Sequence, residues 1–265
     1  MERKLAQRLV VEFVGTLALV FIGVGAIIST QAGGALITVA LAHGLAIAVM
    51  VSATGHISGG HFNPAVTIGA WVTQRIRLTD ALTYVVAQLL GGAAGAGLIR
   101  LAVPRDIWSA VNLGTPQATE VIGSGQAVLI EAILAFFLVW VIFGTVMDPD
   151  GSFHKIAGLG IGLTIAMGIM MGGPFTGAAM NPARAFGPAL VGNFWTAHWI
   201  WWVGPIAGGL VAALLYDTVM LRTRSLPPPE TDTPPPAQPE YGGPGEPEAE
   251  AVLPSSWSDE ADEER

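Results

Sequence analysis

The chain contains the stretch Gly59-Gly60-His61-Phe62-Asn63-Pro64-Ala65-Val66-Thr67 and repeats it, in altered form, as Gly177-Ala178-Ala179-Met180-Asn181-Pro182-Ala183-Arg184. Asparagine favours the N-cap of a helix, because its side-chain oxygen accepts a backbone N–H that the first turn leaves unpaired. Proline fits the next position, where no donor is needed. The apolar runs that follow, residues 65–72 and 183–190, are too short to cross a bilayer. The pattern therefore predicts two half-helices with polar caps that line a passage.

The composition is that of a membrane protein. Of the 265 residues, 52% are hydrophobic and 12% are charged, which excludes a single soluble domain. The chain has no cysteine, which excludes disulfides and thiolate metal sites. No metal, cofactor or nucleic-acid partner is predicted. Six apolar runs approach the roughly 20 residues that a membrane-spanning helix needs. They cover about residues 9–28, 36–53, 81–103, 126–147, 156–172 and 195–221.

The charges predict the orientation of these spans. Lysine and arginine collect at one side, as Arg3, Lys4, Arg8, Arg75, Arg77, Lys155, Arg222 and Arg224, whereas the other side has Arg100 and Arg105. The positive-inside rule then places both termini in the cytoplasm. We expect an integral multi-pass protein of the cell (plasma) membrane.

The C-terminal segment, residues 226–265, differs in composition from the rest of the chain. It is rich in proline, and eleven acidic residues follow Leu226. Such a segment has too little apolar area to bury for an ordered fold. It is predicted to be a disordered cytoplasmic tail, and a partner-binding motif around Trp257 is the alternative.

The two halves of the chain, about residues 1–105 and 120–225, are copies of each other. Glu12 precedes Asn63 by 51 positions, and Glu131 precedes Asn181 by 50. Because each copy holds three spans, an odd number, the second copy must lie inverted in the membrane. The sequence therefore predicts an all-α channel domain over residues 1–225. It consists of six transmembrane helices and two re-entrant half-helices, with the working site where the half-helices meet.

These features resemble the major intrinsic protein family, the aquaporins and glycerol facilitators. Residues 55–67 and 181–188 carry the resemblance, which covers everything but the tail. It implies a homotetramer in which each protomer has its own pore. It also implies that Asn63 and Asn181 are the pore asparagines and that four residues complete the half-helix motifs: Pro64, Ala65, Pro182 and Ala183.

The resemblance further implies a selectivity filter of four residues: His43, Ile169, Ala178 and Arg184. Arg184 is also a functional candidate on physical grounds, because an arginine at membrane depth is costly. The alternatives are a structural ion pair for Arg184 and a packed core histidine for His43. The set is similar to that of plant vacuolar-membrane aquaporins, which implies passage of ammonia, urea or hydrogen peroxide beside water.

Other polar residues of the spans are expected to support the loops. Glu12 and Glu131 resemble family carboxylates that hold the re-entrant loops by hydrogen bonds, and a proton relay is the alternative. His61 is expected at the cytoplasmic vestibule or as a brace of its loop. Gln88, in the third span, is expected to help pack the loops.

The predicted function is a passive channel that conducts water, with ammonia, hydrogen peroxide and urea as further solutes, and excludes protons and ions. Half-helix N-termini that meet in the membrane oppose cations, and asparagine NH2 groups can donate to a passing oxygen.

The sequence fits three alternative functions less well. A glycerol/urea facilitator is disfavoured, because family facilitators have an acid, a base and a Pro-Leu pair where this chain has Ala185, Ala189 and Trp201-Trp202. An ion or proton-coupled transporter would need a titratable path. An enzyme would need a nucleophile–base or metal constellation, and the sequence predicts none.

Overall fold

The computed structural model of the protein describes residues 4–151 and 154–221. The predicted tail, residues 226–265, lies outside the described residues, and the domain boundary at residue 225 stays a prediction. Within the described ranges all regular secondary structure is helical. The α-helices are α1 (Leu5–Ser29), α2 (Leu36–Ser58), α3 (Pro64–Val72), α4 (Leu78–Ala102), α5 (Arg105–Ser109), α6 (Ser124–Ile142), α7 (Ala157–Thr176), α8 (Pro182–Gly192) and α9 (Ile200–Leu215).

Six of the described helices are long and apolar enough to cross a membrane, as the sequence predicted. They are α1, α2, α4, α6, α7 and α9, of which α6 and α9 continue as π-helices over Phe143–Met147 and Tyr216–Leu221. The short helices α3 and α8 correspond to the predicted half-helices. Proline begins both of them, and an asparagine caps each one.

Two helices begin before the predicted starts of the spans because their charged residues are paired. Arg8 in α1 and Asp80 in α4 form an ion pair of 3.1 Å, so the first turns of both helices include a charge. The last span begins at Ile200 rather than at residue 195. Asn193 and Ala197 have left-handed backbones, with φ of 59° and 48°, which interrupts the helix there.

Three pairs of long helices pack closely, and the pair that the repeat relates, α2 and α7, crosses at glycines. α2 packs on α7, α1 on α4, and α6 on α9. At the α2–α7 crossing, a Cβ on Gly44 would stand 2.5 Å from the carbonyl oxygen of Gly162, and a Cβ on Gly162 would overlap the carbonyl oxygen of Gly44. These glycines hold equivalent positions in the two halves, so the crossing lies on the axis that relates the halves. Only residues without a side chain permit this approach.

The outward faces of the long helices are apolar. Val49 is 61% exposed, Leu82 58% and Leu163 54%, and apolar surface of this extent marks contact with a membrane or with another protein. The buried interior, by contrast, includes polar side chains such as Glu12, Gln88 and Glu131, which are fully buried. The fold therefore holds polar side chains in its interior and presents apolar side chains on its outer face.

Candidate pore

The two half-helices begin at buried asparagines that cap them. The Oδ1 of Asn63 accepts a hydrogen bond of 2.9 Å from the backbone N–H of Ala65. The Oδ1 of Asn181 accepts from the backbone N–H groups of Ala183, at 2.9 Å, and Arg184, at 3.2 Å. Each asparagine thus satisfies donors that the first helical turn leaves unpaired.

The same asparagines join the two halves to each other. The Nδ2 of Asn63 donates to the carbonyl of Met180 at 2.9 Å, and the Nδ2 of Asn181 donates to the carbonyl of Phe62 at 2.8 Å. The two caps therefore lie side by side. The sequence suggested that both NH2 groups remain free. In the structure, each NH2 group donates one of its two N–H bonds to a carbonyl of the opposite loop. One N–H on each asparagine remains for another acceptor.

The re-entrant loops repeat each other in backbone conformation. Phe62 and Met180, whose carbonyls accept these bonds, have φ of 48° and 51°. Gly60 and Ala178, two positions before them, have φ of 63° and 45°. A left-handed backbone costs an L-residue roughly 1–2 kcal/mol, so three of these four positions are held against a local preference by the surrounding contacts.

One fully buried carboxylate holds each re-entrant loop. Glu12 and Glu131 come from α1 and α6 and accept hydrogen bonds from corresponding positions of the two loops. The donors to Glu12 are Ser58 Oγ at 2.7 Å, His61 N at 3.0 Å, Phe62 N at 2.7 Å and Gln88 Nε2 at 2.8 Å. The donors to Glu131 are Thr176 Oγ1 at 2.7 Å, Ala179 N at 2.9 Å and Met180 N at 2.7 Å. This geometry fits the bracing role and gives Gln88 a place in it.

Arg184 and His43 meet at one end of the asparagine pair. The Nη1 of Arg184 donates to the carbonyl of Gly114 at 2.9 Å, and its Nη2 lies 3.4 Å from the Nε2 of His43. The Nδ1 of His43 is 2.9 Å from the carbonyl of Val39. A carbonyl can only accept, so Nδ1 carries the proton and Nε2 presents a lone pair to the guanidinium.

Two glycines that the sequence analysis did not single out shape this end of the pore. A Cβ on Gly23, in α1, would overlap the imidazole ring of His43. Gly114, the acceptor for Arg184, has φ of 64° and follows Asn112 and Leu113, at 50° and 52°. Glycine within a span was the available signal for Gly23. No local pattern marks the turn at Gly114, because two of its three left-handed residues are not glycine.

The asparagines and the four predicted filter residues line one narrow lumen. Its cavity is about 30 Å³. One water needs roughly 10–15 Å³ of such space, so waters fit in single file only. The remaining wall is mostly aliphatic. It includes Leu19, Ile47, Val66, Leu138, Ile142, Ile161 and Ile165.

His61 also lines the lumen, and the lumen opens to a wider vestibule. The vestibule has a volume of about 390 Å³ and shares Ile169 and Arg184 with the lumen, so these two residues stand at the entrance. The Nδ1 of His61, which precedes α3, lies 3.1 Å from Thr67 Oγ1. No carboxylate is among the lumen-lining residues that the structure describes.

Comparison with known proteins identifies the family. The major intrinsic protein family matches residues 1–216 of this chain. The chain belongs to the major intrinsic protein family. It is similar to aquaporin TIP4-4 of Zea mays, with 44% identity over 219 residues, which are 79% of this chain and 85% of that protein. It is also similar to aquaporin-4 of Mus musculus, with 39% identity over 215 residues, 78% of this chain and 65% of that one.

Among solved structures, the chain resembles the aquaglyceroporin from Plasmodium falciparum. The TM-score is 0.74 at 26% identity, and the match covers 82% of this chain and 98% of that one. As a member of the major intrinsic protein family with six described helices that can span a membrane, the chain is an integral multi-pass membrane protein. The family assignment agrees with the expectation of a channel rather than an enzyme.

Proposed function

We propose that this member of the major intrinsic protein family is a passive pore that conducts water in single file. The observation that carries the proposal is the pair of bonds Asn63 Nδ2 to Met180 and Asn181 Nδ2 to Phe62, of 2.9 and 2.8 Å. These bonds fix two amide donors beside each other on the wall of a narrow, mostly aliphatic lumen. A water that accepts from both must point its own hydrogens away from them, toward its neighbours in the file.

Proton and ion exclusion belongs to the same proposal. A helix N-terminus acts like roughly half a positive charge, and the N-termini of α3 and α8 meet at the asparagines. Half-helix dipoles and an arginine are known barriers to cations and protons in pores of this type. A water held in one orientation also interrupts the chain of hydrogen bonds along which a proton would hop. Because the lumen has an aliphatic wall, an ion finds little to replace its hydration shell.

His43, Ile169, Ala178 and Arg184 are proposed as the selectivity filter, in which the guanidinium and the imidazole offer polar contacts opposite small apolar side chains. Such a filter admits small neutral solutes, and ammonia, hydrogen peroxide and urea are the candidates beside water. The glycerol/urea facilitator is not favoured as the main function. Ala185 and Ala189 lie buried in α8, where glycerol facilitators of the family have charged residues.

We also propose that both termini face the cytoplasm and that four copies assemble. The ion pairs Arg8–Asp80 and Arg75–Asp217 place the starts of α1 and α4 and the end of α9 at one side. Arginine-rich ends favour the cytoplasmic side. That the membrane is the cell membrane stays a prediction, which fractionation of the source cells tests. Chemical cross-linking of the purified protein tests the tetramer.

Stopped-flow light scattering of proteoliposomes tests the function. Vesicles that contain the protein should shrink faster in an osmotic gradient than empty vesicles. A pH-sensitive dye trapped inside the same vesicles should report no added proton leak. Water flow without a change in proton leak supports the pore. Unchanged shrinkage, or a proton flux that rises with the protein content, contradicts it.

A further inference from the structure

An apolar groove runs along the outer face of the molecule between α1 and α4. Its cavity is about 470 Å³, and its walls are formed mainly by Leu9, Val10, Phe13, Leu82, Val86 and Leu90. The α4 side, from Leu82 to Leu90, spans nine residues, which rise by about 12 Å along the helix. The shape is that of a trough for one extended hydrocarbon chain.

A cationic cluster lies at the end of this groove where α1 and α4 begin. Arg8 and Arg77 share a single acid, Asp80, at 3.1 and 3.2 Å, so the cluster has one positive charge more than it has negative. The Arg77 side chain is 80% exposed, whereas that of Asp80 is 7% exposed. The Nε of Arg8 has no hydrogen-bond partner among the described residues, although it is buried. The exposed guanidinium of Arg77 and the excess positive charge of the cluster are therefore available to an anion.

The inverted repeat provides a comparison for the cluster. Tyr84 in α4 donates to the carbonyl of Ser58 at 2.8 Å, and Trp201 in α9 donates to the carbonyl of Thr176 at 3.1 Å, so the two rings are counterparts. By this register and that of Glu12 with Glu131, the positions of Arg8, Arg77 and Asp80 correspond to Ala127, Phe194 and Ala197. The second half has no charge at these positions, and its last span begins later, at Ile200. The cluster is therefore a feature of the first half alone.

We propose that the groove and the cluster together bind one anionic phospholipid from the leaflet on the side of the termini. One acyl chain lies in the groove between α1 and α4, and the phosphate contacts Arg77 and Arg8. A basic residue near a membrane surface attracts anionic lipid, and arginine matches phosphate geometry with paired donors. The site lies on the outer surface, away from the lumen, so it is independent of the proposed water pore.

Native mass spectrometry of the purified full-length protein in neutral detergent tests the site. Phosphatidylglycerol and phosphatidylcholine with identical acyl chains are titrated separately, and the bound copies per protomer are counted. Phosphatidylglycerol should bind more tightly. Arg77→Gln should weaken its binding by about fivefold and remove the preference for the anionic lipid. Val86→Trp, which fills the groove from an exposed position, should weaken binding of the same lipid.

Two matched variants control for these changes. Arg105→Gln removes an exposed arginine at the opposite end of the spans. Leu98→Trp adds an indole at an exposed position nearer the C-terminal end of α4, outside the groove. Neither should alter the affinity for phosphatidylglycerol. Water permeability of Arg77→Gln vesicles should equal that of the wild type, which separates this test from that of the pore.

Four outcomes would overturn the proposal. One is equal binding of the two lipids, and another is unchanged binding by Arg77→Gln. A third is displacement of the lipid by inorganic phosphate at equal concentration, which would reduce the site to an anion site without a chain. The fourth is a smaller assembly for Val86→Trp in size-exclusion chromatography, which would make the groove a contact between copies of this chain.

Discussion

Both terminal nitrogens of the Arg184 guanidinium have a partner. Gly114 accepts from one terminal nitrogen at 2.9 Å, and the imidazole of His43 stands 3.4 Å from the other. The imidazole is fixed in turn by Val39 and by the close approach of Gly23. The orientation of the arginine thus depends on α1, α2 and the loop before α6, and not on α8 alone.

Removal of both large filter side chains should widen the entrance. For the double variant Arg184→Val with His43→Ala, we expect urea and glycerol fluxes to rise by roughly tenfold, which corresponds to about 1.4 kcal/mol of barrier. Water flux should persist. Stopped-flow swelling of proteoliposomes in each solute measures this, with Arg105→Val as the control. Solute fluxes equal to those of the wild type would argue against these residues as the filter.

His198 should make stability depend on pH. It lies before α9 against Trp195, with ring centroids 5.0 Å apart, and neither ring nitrogen has a partner among the described residues. Burial lowers the pKa of His198 below its usual 6.5. The unfolded chain therefore binds a proton more readily than the folded protein, and stability should fall as the pH drops from 6.5 toward the folded pKa.

The measurement is the unfolding temperature in detergent above and below pH 6.5. His198→Phe should lose part of the pH dependence, because a ring of similar shape then replaces the titrating group. His56→Gln, a change at an exposed histidine of α2, is the control and should keep it. An identical pH profile for His198→Phe and the wild type would show that His198 contributes nothing.

At the scale of residues, the sequence predicted those partners that recur at the same spacing in both halves of the repeat. Asn63 and Asn181, with Glu12 and Glu131, recur at nearly constant spacing, and the structure brings each carboxylate to its loop. Gly114 could not be found in this way. It meets Arg184 across 70 positions of sequence, through a turn whose left-handed residues include leucine.

The re-entrant loops are elements without a ladder of backbone hydrogen bonds of their own, and buried side chains replace it. Glu131 takes the N–H groups of Ala179 and Met180 and the hydroxyl of Thr176. The loop conformation is unfavourable by itself, with φ of 45° at Ala178 and 51° at Met180. We therefore expect the carboxylate to determine where α8 begins.

Loss of this carboxylate should destabilise the protein strongly. Glu131→Ala leaves the buried N–H groups of Ala179 and Met180 unpaired, at roughly 1–3 kcal/mol each. The Thr176 hydroxyl keeps only its contact of 3.4 Å with the carbonyl of Gly172. We expect a large drop in unfolding temperature or a failure to fold. Glu131→Gln keeps one acceptor oxygen and should lose less. Glu120→Ala, an exposed position before α6, is the control. Tryptophan fluorescence during heating measures all three, and an unchanged Glu131→Ala protein would refute the bracing role.

Among the described helices, those of the two halves approach each other closely at glycines. α8 crosses α4 where a Cβ on Gly187 would overlap the carbonyl of Gly92. The counterpart crossing is looser, since a Cβ on Gly209 would stand 3.3 Å from the carbonyl of Ala65. The six spans and their order could be predicted from apolar length alone. The glycines that lie at the crossings could not be predicted in this way, because each contact joins residues that are far apart in sequence.

Substitution by alanine should have opposite effects at two helical glycines, Gly187 and Gly97. Gly187→Ala places a methyl group against the backbone of α4, and we expect little folded protein. Gly97→Ala, in α4, meets nothing within 4 Å and should stabilise by roughly 0.5–1 kcal/mol, because alanine is the better helix former. The yield of monodisperse protein and the unfolding temperature measure both. Equal tolerance at the two positions would mean that the crossing has room to yield.

The hydrogen bonds from Asn63 to Met180 and from Asn181 to Phe62 have a consequence for a chain severed between α5 and α6. Each fragment would retain one asparagine amide whose acceptor carbonyl lies in the other fragment. Neither fragment could complete its re-entrant segment by itself, so two separately made pieces should be inert until they meet in opposite orientations.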